Sequence, residues 1–289
     1  MTILGRLFFR HQVGLPLIKS RLFPLVVGPT GVGKSHLVEK TAADLQAHYF
    51  KVTRGDWLPQ GVKSGRPTVY QIIDQALTHQ RVLLHIDELD KFQINFAAGD
   101  WGASIGSDLW NLLDGKHPFE GYLSETPYPE GQQPSSEALS KAVQRSLWIV
   151  GSGTWQDIFA NNRRGATMGF QGSMVDVAVD VQTIARSGVI PVELLHRFSG
   201  DLLFLEYPSP CETAILLTTS GLADLAKKAG VTITPDQIDW TQGGMRALET
   251  LATRLAVAYY RLTEIEPLNA LMVEKRGRGI RPVSEPRRK

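Results

Sequence analysis

Short apolar runs alternate with stretches of helical spacing over the first 207 residues. Five runs rich in Val, Ile, Leu and Phe predict buried strands, namely PLVV (24–27), HYFKVT (48–53), RVLLHID (81–87), SLWIVGS (146–152) and DLLFLEY (201–207). Apolar residues at helical spacing between these runs predict helices at 34–49, 67–80, 107–115 and 191–198. Strands alternating with helices predict an α/β domain built on a parallel sheet that helices cover.

The pattern changes after Tyr207. Pro208 and Pro210 interrupt the chain, and amphipathic spacing then predicts helices within 212–230 and 243–262. We therefore expect three parts: a large α/β domain over 1–207, a small helical lid domain over 208–273, and a basic, disordered tail over 274–289 that does not pack on the rest of the chain. From Lys275 to Lys289 the tail holds seven Lys or Arg residues against one Glu, which suits either solvent or an acidic partner such as nucleic acid.

Composition excludes several classes of protein. The chain has 289 residues, 43% of them hydrophobic and 21% charged, which is typical of folded globular domains. No apolar run approaches the ~20 residues of a membrane span, and Arg6 and Arg10 interrupt the apolar start of the chain. We therefore expect a cytoplasmic protein without membrane contact. The single Cys211 excludes an internal disulfide and a multi-cysteine zinc site.

The segment GPTGVGKS follows the first predicted strand and opens the first predicted helix. It fits the P-loop pattern G-x-x-x-x-G-K-[ST], whose glycines let backbone N–H groups face the phosphates of ATP. Lys34 is expected to reach the β- and γ-phosphates, and Ser35 to bind Mg²⁺. The residues expected around the nucleotide are Gly28, Pro29, Thr30, Gly31, Val32, Gly33, Lys34, Ser35 and His36.

A second segment, VLLHIDEL (82–89), ends a predicted strand with two carboxylates. Ligands of parallel sheets bind at the carboxyl ends of the strands, so Asp87 is a candidate Mg²⁺ ligand. Glu88 is the candidate to orient and polarise the attacking water during phosphoryl transfer. His85 is expected to be a hydrogen-bonded core histidine rather than a catalytic group.

GPTGVGKS followed by HIDELDKF resembles the AAA+ ATPases, and within them the ClpX/HslU unfoldase branch. In that branch ARSGVIPVELLHRF (185–198) corresponds to the segment with the arginine finger, here Arg197, and GGMRALETL (243–251) to the sensor-2 helix, with Arg246 at the sensor position. SLWIVGSGTW corresponds to the sensor-1 strand, with Ser152 as its polar residue and Thr154 as the alternative. The resemblance implies a homo-oligomeric ring or spiral, a hexamer in this family, in which Arg197 acts on the nucleotide of the neighbouring subunit.

The resemblance also points to contacts with other macromolecules. Trp57 and Leu58, in GDWLPQG, stand where this branch carries its substrate-gripping loop, although packing within the chain is the alternative for Trp57. Met168, Gly169 and Phe170 stand where ClpX docks onto its barrel peptidase, and a flexible glycine-rich loop is the alternative there. The stretch from Lys116 to Arg145 has no predicted strand and is expected to be a long functional or mobile loop near a second pore loop.

These features together predict an ATP hydrolase that uses MgATP to unfold, remodel or translocate a protein substrate. The alternative is an AAA+ ATPase of transposition, replication or defence that acts on DNA, which the basic tail favours.

Overall fold

The computed structural model of the chain describes residues 1–11, 23–60, 65–92, 101–156, 184–186, 190–198, 202–238, 240 and 244–277. They form two compact units, one that ends at Glu206 and one that begins at Tyr207.

The first unit is built on a sheet of five strands in the described residues. The strands are β1 (Leu25–Val27), β2 (His48–Val52), β3 (Val82–Ile86), β4 (Leu147–Gly153) and β5 (Leu202–Phe204). Their order is β2-β3-β4-β1-β5, and every pair is parallel. All residues of β1, β3 and β4 are buried, as expected for strands inside a covered parallel sheet. The predicted parallel α/β fold is confirmed.

Helices connect the strands. In the first unit they are α1 (Thr2–His11), α2 (Lys34–Asp44), α3 (Thr68–Thr78), α4 (Trp101–Asp114), α5 (Phe119–Glu125), α6 (Ser136–Ser146) and α7 (Val192–Leu195). Single 3-10 turns occur at Arg54–Asp56 and Leu89–Lys91.

The region between Lys116 and Arg145 differs from its prediction as one long loop, because it contains α5 and most of α6. The Ser135 side chain caps α6 by accepting a hydrogen bond from the backbone N–H of Ala138. Along α6 the buried residues are Leu139, Val143 and Ser146, which lie at helical spacing on one face, so the sequence did carry a helical pattern that the prediction of a loop missed.

The core of the first unit surrounds β3, β4 and β1. Trp148 of β4 is fully buried, and α1 packs its Phe8 ring on it with centroids 6.3 Å apart. The edge strand β2 is only partly buried.

The second unit has its own core and consists of helices. They are α8 (Pro210–Thr219), α9 (Leu222–Lys228), the 3-10 turn Pro235–Gln237 and α10 (Arg246–Gly277). Ser209 and Glu212 form a capping box at the start of α8, and Gly221, at φ 73°, separates α8 from α9. The helix α10 extends into the segment 274–289 that was expected to be an unpacked tail. No helix in the described ranges is both long enough and apolar enough to span a membrane.

Candidate nucleotide-binding site

The sheet register gathers polar side chains on one face at its carboxyl edge. Lys51 of β2 is in register with His85 of β3, which is in register with Val150 of β4. Side chains alternate between faces along a strand, so Lys51, His85, Asp87 and Ser152 project from the same face. The P-loop follows β1, the next strand in the sheet.

Gly28 and Gly33 show why the P-loop needs glycine for steric reasons. A Cβ at Gly28 would collide with the carbonyl oxygen of Leu205, which follows β5. Gly33 precedes α2 with φ 94°, a left-handed conformation that L-residues with side chains rarely adopt. The loop therefore passes close to β5 and turns directly into the N-terminus of α2, where backbone N–H groups can bind phosphate.

Lys34 lies folded back over the P-loop. Its Nζ donates hydrogen bonds of 2.8 Å to the carbonyl oxygens of both Gly28 and Pro29, and the residue is 8% exposed. Burial lowers the pKa of its ammonium group, while Asp87 and Asp90 oppose that shift. The side chain is thus held beside the loop that is expected to bind the phosphates.

Asp87 is the centre of the polar network. Its Oδ2 accepts a hydrogen bond of 2.8 Å from Ser35 Oγ and lies 2.6 Å from Lys51 Nζ. Its Oδ1 accepts hydrogen bonds from Ser152 Oγ at 2.5 Å and from the backbone N–H of Glu88 at 2.9 Å. The structure therefore brings the predicted P-loop serine, the predicted acidic ligand and the predicted sensor-1 serine together.

The charge of Asp87 is stabilised by these contacts. Burial by itself would raise the pKa of the carboxyl group, but the hydrogen bonds from Lys51, Ser152 and Ser35 outweigh it and hold the pKa well below its usual value. A buried carboxylate with four donors stays ionised and keeps a fixed orientation.

A chain of hydrogen bonds connects Asp87 through Ser152 and His85 to Tyr49. Ser152 Oγ donates its proton to Asp87, so it must accept a hydrogen bond from His85 Nε2, which lies 2.8 Å away. The ring proton of His85 is therefore on Nε2. Its Nδ1 accepts a hydrogen bond from Tyr49 Oη at 2.7 Å. Burial lowers the pKa of His85 to about 4. The ring is therefore neutral at pH 7, its 3.8 Å approach to Asp87 Oδ1 is no ion pair, and the prediction of a hydrogen-bonded core histidine is confirmed.

Glu88 follows Asp87 in an unusual backbone conformation, with φ 54° and ψ 40°. Such left-handed conformations are uncommon outside glycine and often occur at functional sites. Its carboxylate is half-exposed and lies 2.7 Å from Lys91 Nζ. Thr154, the alternative sensor residue, instead donates from both its backbone N–H and its hydroxyl group to Asp90.

Arg197 is engaged within its own chain. Its guanidinium donates to both carboxylate oxygens of Asp114, at 2.8 and 3.1 Å, and lies 3.8 Å from the ring centroid of Trp110. Both partners belong to the last turns of α4. The side chain is therefore held in a defined orientation, with 22% of it exposed.

The other predicted contact residues lie elsewhere. Arg246 is exposed at the start of α10 in the second unit, and its contact with nucleotide stays a prediction. Met168, Gly169 and Phe170 lie outside the described residues.

The expectation that Trp57 is an exposed gripping residue is wrong. Trp57 is 1% exposed, and its Nε1 donates to Asp108 Oδ2 at 3.3 Å. Leu58 is half-buried, and its backbone N–H and carbonyl group both bond to Thr68 at the start of α3. The indole packs in the core, where Asp108, 51 positions further along the chain, satisfies its N–H.

Two contributors to the site were not predicted. Lys51 extends from the edge strand to Asp87, and Gln156, which follows β4, donates to the hydroxyl group of Thr30 in the P-loop at 2.6 Å. The sequence did offer a signal for Lys51, because it lies in β2, the strand before β3, and Asp87 directly follows β3. Gln156 had no sequence signal.

Comparison with known proteins assigns this part of the chain. Residues 24–121 match the family model described as "ATPase family associated with various cellular activities (AAA)". Over these residues the chain is similar to the AAA ATPases. The match includes the P-loop and the carboxylates that follow β3.

The chain matches its curated relatives over less than a third of their own length. The ATP-dependent zinc metalloprotease FtsH of Pseudomonas putida is 29% identical over an alignment of 118 residues, and the match covers 38% of this chain and 19% of that protein. The proteasome-activating nucleotidase of Methanoregula boonei is 26% identical over an alignment of 123 residues, and the match covers 38% of this chain and 28% of that protein. The crystal structure of the FIGL-1 AAA domain in complex with ADP aligns over 77% of this chain and 56% of that chain, at 15% identity and a TM-score of 0.45.

Proposed function

We propose that this protein hydrolyses ATP with Mg²⁺ and uses the energy to remodel a protein substrate. One observation carries the proposal: Ser35 of the P-loop and Ser152 of β4 both donate to Asp87, beside Lys34. A lysine, a hydroxyl group and an ionised carboxylate at the carboxyl edge of a parallel sheet are the groups that phosphoryl transfer from a nucleotide requires.

The residues present suit Mg²⁺. Ser35 Oγ and Asp87 Oδ2 lie 2.8 Å apart, and hydroxyl and carboxylate oxygens are the protein ligands that Mg²⁺ prefers. Within the described ranges, no group of three or more His, Cys, Asp and Glu residues could hold a metal ion. A site with few protein ligands fits Mg²⁺, which keeps water and substrate phosphates in its coordination shell. The ion would neutralise charge on the phosphate oxygens.

The chain's own residues do the remaining work. We infer that Lys34 exchanges the carbonyl oxygens of Gly28 and Pro29 for phosphate oxygens, which are stronger acceptors because they are charged. Glu88 leaves Lys91 and accepts a hydrogen bond from the attacking water, since phosphoryl transfer depends on in-line positioning of that water. Asp87 is ionised before nucleotide and metal bind because its network keeps its pKa low.

We further propose that the protein works as a homo-oligomeric ring, a hexamer as in the family that the sequence resembles. Arg197 then supplies a guanidinium to the nucleotide of a neighbouring subunit. Its bidentate contact with Asp114 and its stacking on Trp110 support this role, since both restrict the side chain before a partner arrives. Arg246 acts on the nucleotide of its own subunit.

The preferred cargo is a polypeptide. The names of the two relatives, a metalloprotease and a proteasome-activating nucleotidase, concern protein degradation, and the segments around Arg197 and Arg246 resemble the ClpX/HslU branch. Docking of a barrel peptidase through Met168, Gly169 and Phe170 remains part of this proposal. Since Trp57 is buried, substrate contact falls to other residues, with Leu58 as the remaining candidate of that pair.

The experiment is a measurement of steady-state ATPase rate on the full chain. Purified protein is assayed alone, with an unfolded protein and with duplex DNA, at one salt concentration because DNA contacts are salt-sensitive. We expect stimulation by the unfolded protein and loss of all turnover in Lys34→Ala. Stimulation by DNA alone would reverse the choice of cargo. Absence of turnover under every condition would contradict the proposed hydrolase.

A further inference from the structure

Lys51 contacts Asp87, but the proposed reaction assigns it no part. It lies near the end of the edge strand β2, and its Nζ is 2.6 Å from Asp87 Oδ2. The Asp87 side chain is 8% exposed, whereas 41% of the Lys51 side chain is exposed. The ammonium group thus reaches a buried carboxylate from the solvent side on a flexible stem.

The choice of oxygen atom matters. Oδ1 of Asp87 already accepts from Ser152 and from the Glu88 backbone, so Oδ2 is the oxygen that faces Ser35. Ser35 and Asp87 are the two residues that suit Mg²⁺. The Lys51 ammonium is therefore bonded to the same oxygen that the metal would use.

We propose that Lys51 is a positioning residue that holds Asp87 Oδ2 in the metal-free protein and gives up that oxygen when Mg²⁺ binds. This inference rests on the proposed magnesium site. A buried carboxylate without a counter-charge is costly, so the ammonium keeps Asp87 ionised and oriented before nucleotide arrives. The metal then competes with an internal cation, because two cations repel each other at one oxygen.

This competition makes metal binding weaker than the ligands alone would allow. Lys51 can yield because its exposed stem lets the ammonium return to water at little cost. Asp87 is thereby oriented before the metal arrives. Mg²⁺ binds only when the nucleotide phosphates supply further ligands.

The test is a Mg²⁺ titration of nucleotide binding, which needs no turnover. Full-length protein is mixed with a fluorescent ADP analogue in EDTA, and the free Mg²⁺ that gives half of the metal-dependent signal is measured. In Lys51→Met we expect this midpoint to fall about fivefold, the effect of removing one partly exposed ion pair. Lys51→Arg, which keeps the charge, should resemble the wild type.

Lys40→Met is the matched control. Lys40 Nζ also lies 2.6 Å from a carboxylate, Asp44, but on the exposed surface of α2, so its loss should leave the midpoint unchanged. Lys51→Gln, which retains an N–H donor without charge, replaces Lys51→Met if that variant does not fold, and the same fall is expected. Thermal unfolding in EDTA should show Lys51→Met less stable than wild type, with a smaller deficit in Mg²⁺ and ADP.

Two outcomes are distinguishable. A wild-type protein whose nucleotide binding does not depend on Mg²⁺ would overturn the proposed metal site itself. A Mg²⁺-dependent wild type with an unchanged or raised midpoint in the neutral Lys51 variants would overturn only the role of Lys51.

Discussion

Replacement of Trp57 by alanine should destabilise the first unit. The indole is 1% exposed, its ring meets Phe92 edge to face with centroids 6.0 Å apart, and its N–H bonds to Asp108. Truncation of a buried aromatic residue to alanine costs about 3–5 kcal/mol. Asp108 keeps a hydrogen bond from Gln60 at 3.0 Å, so the loss of the indole N–H adds at most ~1 kcal/mol.

The assay is thermal and urea unfolding followed by circular dichroism. With ~2–4 °C per kcal/mol for a unit of this size, Trp57→Ala should lower Tm by about 10 °C. Trp57→Phe keeps a ring but loses the N–H, so it should cost only ~1–2 kcal/mol. The control Ile3→Ala removes a side chain from a residue that is 74% exposed and should change stability by less than ~0.5 kcal/mol.

A Trp57→Ala variant as stable as Ile3→Ala would refute this reasoning. If that variant also kept basal ATPase activity but lost stimulation by an unfolded protein, Trp57 would be the exposed gripping residue that the sequence resemblance implied.

Two further predictions concern the subunit interface and pH. Mixing Arg197→Ala with Lys34→Ala subunits should restore part of the ATPase rate, because some interfaces between the two variants pair an intact P-loop with an intact Arg197. Mixtures that co-assemble but recover no activity at any ratio would contradict the proposal that Arg197 acts on the neighbouring subunit. Burial lowers the pKa of His117 to about 4, below the ~6.5 of an unfolded chain, so the unfolded state binds more protons between these values. The contribution of neutral His117 to the free energy of unfolding is fully present above pH 6.5 and falls by up to about 3 kcal/mol as pH drops to 4. In urea unfolding, His117→Gln should therefore weaken the loss of stability between pH 6.5 and 4. An unchanged loss would show that His117 does not cause it.

The strands and the central chemistry could be predicted because they depend on local sequence. Apolar runs define β1, β3 and β4, and the P-loop spacing determines a turn whose glycines adopt conformations that other residues avoid. Asp87 follows one of those runs, and the topology of a parallel sheet places ligand-binding sites at the carboxyl ends of its strands.

Contacts between distant residues could not be predicted in the same way. The burial of Trp57 depends on Asp108 of α4, and the orientation of Arg197 depends on Asp114 and Trp110 of the same helix. Each partner becomes adjacent only when α4 packs, and no periodicity in the sequence encodes that pairing. Lys51 reaches Asp87 only because β2 and β3 are neighbours in a specific register.

The most direct test of the account is a comparison of Glu88→Gln with the wild type in two parallel measurements, ATP binding and single-turnover phosphate release. The amide keeps the size of the side chain but cannot polarise water, so we predict nucleotide affinity within about twofold of wild type and a rate of phosphate release lowered at least ~100-fold. Phosphate release at the wild-type rate would contradict the assignment of this site as the hydrolytic centre.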